Sequence, residues 1–225
     1  MDERVVVCHV LDLEALADLV DAAQAPMRLA GRVPAAYLDR IDRVNNPTVK
    51  LQALGEALLV AGIAGLTTND DLAIGEWGKP EPASGAFHMN LSYSAARAVL
   101  GLSPVVVGVD IPPAPAEVDR NTVRTLRRGG YPVPPEMDDH PERLSPAEFA
   151  HCWTQVEAIL KAEGTGFCED LRKHQDWFDR WQCRWASEDD PLLPGHALCV
   201  ATREGLEPRT VAAEPADLLQ RVGWR

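Results

Sequence analysis

A chain of 225 residues, 46% hydrophobic and 25% charged, has a globular composition and the length for one large domain or two small, closely joined ones. No apolar run approaches the ~18 residues of a membrane span, and the opening MDERVVVCHV lacks the basic-then-apolar order of a secretory leader. A net charge of −12 argues against a protein that lives on nucleic acid, which would carry a basic excess.

In chain order, RVVVCHV (4–10) predicts a strand and residues 13–23 predict an amphipathic helix. A polar stretch carrying Arg40 and Arg43 leads to KLQALGEALL (50–59), a helical pattern. Its Gly55 costs about 1 kcal/mol against alanine, so close packing or a ligand needs that bare backbone. Residues 66–85 read as loop and include Trp77-Gly78-Lys79-Pro80. FHMNLSYS (87–94) comes next. RAVLGL and VVVGVDI, divided by Ser103-Pro104, then read as a strand hairpin that ends at Asp110. The following IPPAPA cannot continue a central strand, and residues 111–117 and 129–145 read as proline-laden linkers.

Ser145-Pro146-Ala147-Glu148 is a capping box with proline at the first helical position, and Gly164 supplies the stop, so 145–163 is predicted as a helix. At 100° per residue, Phe149, Cys152, Trp153, Val156, Ile159 and Leu160 form its apolar stripe. Glu157 and Lys161 stand at the edge of that stripe, one turn apart. Read locally, they are a helix-stabilising pair worth about 0.3–0.5 kcal/mol. Trp177, Trp181 and Trp185 recur every four residues and predict a packed helix face. GHALCVAT (195–202) reads as a strand, followed by a polar tail and a short helix. The second half thus repeats the order of the first without repeating its sequence. Five cysteines, at 8, 152, 168, 183 and 199, are scattered and without a CxxC. They predict free thiols in the cytoplasm rather than a disulfide framework or a zinc site.

Chemistry enters at three places. Lys79, in a rigid Gly-Pro turn, has a geometry suited to a phosphate. Asp110, at the end of a valine strand, is either a turn-capping residue or the ligand of a cation. If Asp110 and Glu157 face each other across strand and helix, they form a hard oxygen site of the kind that holds Mg²⁺ with substrate phosphates. Lys161, about 6 Å along the helix from Glu157, would then meet the phosphate. Basic clusters at Arg40, Arg43 and Lys50, at Arg124, Arg127 and Arg128, and at Arg172 and Lys173 are solvated faces or anion contacts.

WGKP, FHMNLSYS, VGVDIPP and WTQVEAILKAEGTGF, in this order and spacing across residues 76–167, strongly resemble the large, surfactin-synthetase-activating type of 4′-phosphopantetheinyl transferase. The resemblance implies an α/β (α+β) pseudo-dimer of two similar halves, 1–111 and 112–225, with the active site at their join. It also implies transfer of the phosphopantetheine arm of coenzyme A to a serine of an apo acyl or peptidyl carrier protein, with release of 3′,5′-ADP. By the same resemblance, Asp110 and Glu157 bind Mg²⁺, Lys161 contacts the phosphate under attack, and Glu157 helps deprotonate the serine. Lys79, Ser92 and Tyr93 would hold coenzyme A, with Arg40, Arg43 and Lys50 near its 3′-phosphate. A cytoplasmic monomer with no nucleic-acid or membrane partner follows. Arg124, Arg127 and Arg128 are then candidates for the face that meets an acidic carrier.

Three residues depart from the family pattern. Pro112 stands in place of a third acid, so the metal loses a carboxylate. Tyr93 replaces a histidine, and Val156 replaces a lysine and falls on the apolar stripe. These departures leave a second implication open: a non-catalytic module of the same fold that binds coenzyme A or a carrier protein.

Overall fold

The computed structural model describes residues 4–112, 121, 124, 128, 145–166, 177–187 and 189–224. Strand β1 (Val5–Asp12) alternates its side chains, with Val6, Cys8 and Val10 on one face and Leu11 on the other. Asp12 ends it by turning its carboxylate onto the amides of Glu14 and Ala15, which caps α1 (Leu13–Ala17). The helix expected over 13–23 stops there. Asp21 caps a separate short turn by accepting from the Ala23 amide, and α2 (Ala25–Arg28) follows. Aspartates that bond their own backbone outcompete the longer periodicity.

Two longer helices come next, α3 (Ala35–Arg43) and α4 (Pro47–Gly62). The α4 helix is capped by Asn46 and carries Pro47 in its first turn. It is buried almost all round from Gln52 to Ala61, as its near-continuous apolar sequence requires.

Strands β2 (Leu72–Ile74) and β3 (Pro80–Pro82) form a small antiparallel ribbon. Strands β4 (His88–Tyr93) and β5 (Arg97–Ser103) form a hairpin that pairs with β1. The short strand β6 (Gly108–Asp110) is followed by α5 (Pro146–Glu163). Then come α6 (Trp177–Arg180), β7 (Gln182–Trp185), β8 (Cys199–Thr202), β9 (Glu207–Ala212) and α7 (Pro215–Arg221).

The fold is mixed α and β, of the α+β kind. One sheet has the order β4-β5-β1-β9, with β9 parallel to β1; another has the order β6-β8-β7 and is antiparallel. The two sheets face each other through Val6, Cys8, Val10 and Val99 on one side and Val107, Val109, Ile111 and Val200 on the other. Each sheet carries a long helix on its far face. Leu54 and Leu58 of α4 share a core with Leu11 and Leu100, and Ala158, Ile159 and Ala162 of α5 cover Cys199 and Ala201. No described helix is long and apolar enough to cross a membrane.

Three expectations are corrected. The predicted hairpin of RAVLGL and VVVGVDI does not form, because β5 pairs with β4 and β1 while β6 pairs with β8. Ser103-Pro104 is where the chain leaves one sheet for the other. The tryptophan helix also fails beyond Arg180. Residues 182–185 form β7, whose ladder to β8 overrides the four-residue period. In that setting Trp181 donates its indole N–H to Glu163 at 2.6 Å and Trp185 stacks on His151. Finally, the polar tail contains β9, which crosses back to pair with β1 and close the first sheet.

Candidate functional site

The site begins with a glycine. On β6 the side chains alternate, so Val109 enters the core between the sheets while Gly108 and Asp110 turn toward α5. A Cβ on Gly108 would overlap the backbone of Ala158 and Ala162. The bare strand therefore lets the helix axis come close, and Asp110, two residues on, reaches the helix turn that carries Glu157 and Lys161. The helix itself follows its sequence signals. Ser145 and Glu148 form a reciprocal capping box, and Gly164 ends the helix in the left-handed conformation at φ 80°.

Strand β4 closes the other side of the seam. Asn90 Oδ1 accepts from the Val109 amide at 2.8 Å, and Ser92 Oγ accepts from the Ile111 amide at 3.2 Å. Two side chains thus stitch the edge of one sheet to the edge of the other. Ser92 also donates to Asp110 Oδ1 at 3.1 Å and accepts from Lys161 Nζ at 2.9 Å, so its hydroxyl is fully used. Lys161 Nζ lies 2.6 Å from Asp110 Oδ1. The local reading of Glu157 and Lys161 as a helix pair is incomplete: the ammonium bonds across the seam to Asp110 and Ser92 and acts on Glu157 through its charge.

Electrostatics at this seam are unbalanced. Asp110 is 6% exposed. Burial, and then the nearby charge of Asp110, push the Glu157 carboxyl up to about 7, while Lys161 pulls the other way. Two carboxylates share one ammonium, so a further cation between them would be stabilised. Among the described residues, no group of three or more His, Cys, Asp or Glu side chains is placed to hold a metal ion. Pro112 brings no third acid. Two carboxylates that repel each other, next to an opening lined by Lys161, remain a fitting donor set for Mg²⁺, which usually keeps waters and phosphate oxygens for the rest of its shell.

That opening is a cavity of about 420 Å³ whose wall includes Lys161, Lys79, Arg40, Glu56, Trp77 and Leu91. The cofactor-binding expectations fall unevenly around it. Lys79 lines the wall, but its ammonium is engaged: Glu81 lies at 2.8 Å, the Val107 carbonyl at 3.1 Å and the Ala162 carbonyl at 3.4 Å. It ties the loop to the seam. Ser92 is inside the seam, whereas Tyr93, its neighbour on the strand, points to the other face and is 39% exposed. Arg40 Nη2 donates to the Tyr93 hydroxyl at 3.3 Å, and its guanidinium lies over the Tyr93 ring. Arg43 is at the surface, 79% exposed, beside Asp39. Lys50 is half-buried in α4 and does not line the cavity. Arg124 and Arg128 are helical and exposed; Arg127, Arg172 and Lys173 lie outside the described residues. The four described cysteines, 8, 152, 183 and 199, are free thiols.

Sequence reasoning missed Asn90, Glu56 and Tyr37. Asn90 was within reach, since it stands two residues before Ser92 and a strand puts both on one face. Glu56 carried a weaker signal, an acid inside an otherwise apolar helix. It is buried, and its carboxylate forms an ion pair with Arg40. Burial pushes it up to about 7 against the pull of Arg40 and Lys161. No protein-family model matches the chain, and no curated protein matches it either.

Proposed function

We propose that this chain is a Mg²⁺-dependent 4′-phosphopantetheinyl transferase that moves the phosphopantetheine arm of coenzyme A to a serine of an apo acyl or peptidyl carrier protein. The observation that carries this reading is the convergence of Asp110, Glu157, Lys161 and Ser92 at the seam, where Lys161 reaches the cavity wall. They come from β6, α5 and β4, three of the four segments in which the sequence resembles that family. The finer fold reading, two similar halves with the site at their join, is supported by the one long helix on each sheet. A cytoplasmic monomer goes with it.

Phosphoryl transfer asks mainly for positioning and charge neutralisation. Asp110 and Glu157 would hold Mg²⁺, which when bound neutralises charge on the pyrophosphate. Lys161 contributes a fixed positive charge to the phosphate under attack, held in place by Ser92. Glu157 takes the proton of the carrier serine as its Oγ bonds to the pantetheine-side phosphorus. The bond to the second phosphate breaks, and 3′,5′-ADP leaves.

A second reading, a non-catalytic module that binds coenzyme A or a carrier, draws on one observation. Lys161 already satisfies Asp110, with no third acid to favour a metal. Intact-mass spectrometry of an apo carrier incubated with the protein, coenzyme A and Mg²⁺ separates the two. A mass gain of one phosphopantetheine arm, absent without metal and with Glu157→Gln, is the expected result. No gain on several unrelated carriers, with coenzyme A bound, would leave the module reading.

A further inference from the structure

Away from the seam, the cavity ends against α3 and α4, where the expected cluster of three cations is not found. Of the three, Arg40 alone lines this end among the described residues, and its charge is matched by Glu56, whose side chain is 4% exposed. Arg43 faces solvent with Asp39, and Lys50 stands outside the wall. Tyr37, one turn before Arg40, also lines the cavity. Its hydroxyl is the buried side-chain polar atom left without a hydrogen-bond partner among the described residues. The remaining wall, Ala36, Leu72, Ile74 and Trp77, is mostly apolar.

Among the described residues this end therefore has no net charge, one unpartnered hydroxyl and a carboxylate fixed in the wall. A phosphate monoester dianion needs an excess of positive charge and would meet Glu56 at close range. A ribose hydroxyl needs neither: it accepts from Tyr37 and donates to Glu56, filling a hydrogen-bond vacancy that otherwise costs stability. We propose that the nucleoside end of the ligand is recognised with its ribose hydroxyls free, so that 3′-dephospho-coenzyme A serves as donor at least as well as coenzyme A. The proposal rests on the transferase reading. With this donor the carrier serine Oγ bonds to the same phosphorus, its proton goes to Glu157, and the leaving group is 5′-AMP.

Two measurements test it, both at about pH 8, above the value to which burial pushes Glu56. The first compares kcat/KM for the two donors with one apo carrier. An equal or larger value for the dephospho form is expected, and Glu56→Gln should move the ratio toward coenzyme A by on the order of tenfold, as an uncompensated Arg40 attracts the extra phosphate. A wild-type preference of tenfold or more for coenzyme A, or an unmoved ratio in a folded Glu56→Gln protein, overturns the proposal. The second is calorimetric binding of 5′-AMP and 3′,5′-ADP without metal or carrier. Comparable or tighter binding of 5′-AMP supports the proposal. Tighter binding of 3′,5′-ADP, or binding of neither, overturns it. Should neither donor modify any carrier, the transferase reading falls, and the binding comparison still decides the nucleoside preference.

Discussion

Helices α4 and α5 each pack on a sheet next to a glycine, but the glycines sit on opposite partners. In α4 it is the helix that carries Gly55, and a Cβ there would meet the ends of side chains: Leu13 Cδ2 at 2.7 Å, with Ala98 Cβ and Leu11 Cδ2 at 3.4 Å. At α5 it is the strand that carries Gly108, and a Cβ would meet helix backbone. Side-chain tips can move and helix backbone cannot, so the two interfaces differ in how far they tolerate change. Both helices also carry an acid that feels the charge of Lys161: Glu56, which lines the cavity, and Glu157 at the seam. Glu56 has a dedicated arginine, whereas Glu157 faces a second carboxylate and shares its lysine. One acid is paired with its own cation; the other is held in a setting that favours a further cation.

Substitutions can break this contrast, starting with the largest effect. Gly108→Ala should force α5 off β6 and destabilise the protein by upwards of about 3 kcal/mol, read from urea denaturation. Separation of Asp110 from Lys161 would remove transfer with it. Asp110→Ala should cost about 2 kcal/mol, because it leaves the Lys161 ammonium without its carboxylate but still able to reach water. The same variant should lose Mg²⁺ binding by calorimetry.

Charge on the two acids gives the next effect. Both have folded-state values raised to about 7 from an ordinary 4.5. The folded protein therefore binds more protons than the unfolded chain between those limits. Their contribution to stability is fully present below about pH 4.5 and is lost as pH rises through about 7. Glu157→Gln should flatten part of that slope in thermal melts without metal. On the proposed function, Mg²⁺ binding to the parent protein should strengthen as pH rises through the same window, because the ionised carboxyl would be the ligand. A melting profile that rises with pH there would contradict the burial of these acids. The smallest effect belongs to Gly55→Ala. A shift of Leu13 is offset by the gain of about 1 kcal/mol in helix propensity, so the net change should stay within about 1 kcal/mol.

The sequence by itself determined the local pieces whose signals are covalently close. The capping box at Ser145 and Glu148, the left-handed stop at Gly164 and the middle of α4 stand where their residue patterns put them, and Asp110 ends its strand as read, although that strand shrinks to Gly108–Asp110. It also singled out Asp110, Ser92, Glu157 and Lys161, whose convergence needed two strands, one from each sheet, to meet one helix. Tertiary structure decided the rest, because the deciding partners are distant in the chain. Strand β6 prefers β8 to the nearby β5, β7 takes residues that read as helix, and β9 returns to β1 from the far end of the sequence. Arg40, Arg43 and Lys50 look alike as a basic cluster. Only the fold gives one of them a buried glutamate, turns another to solvent and leaves the third outside the cavity, since a charge is set by what it faces and not by its neighbours in sequence.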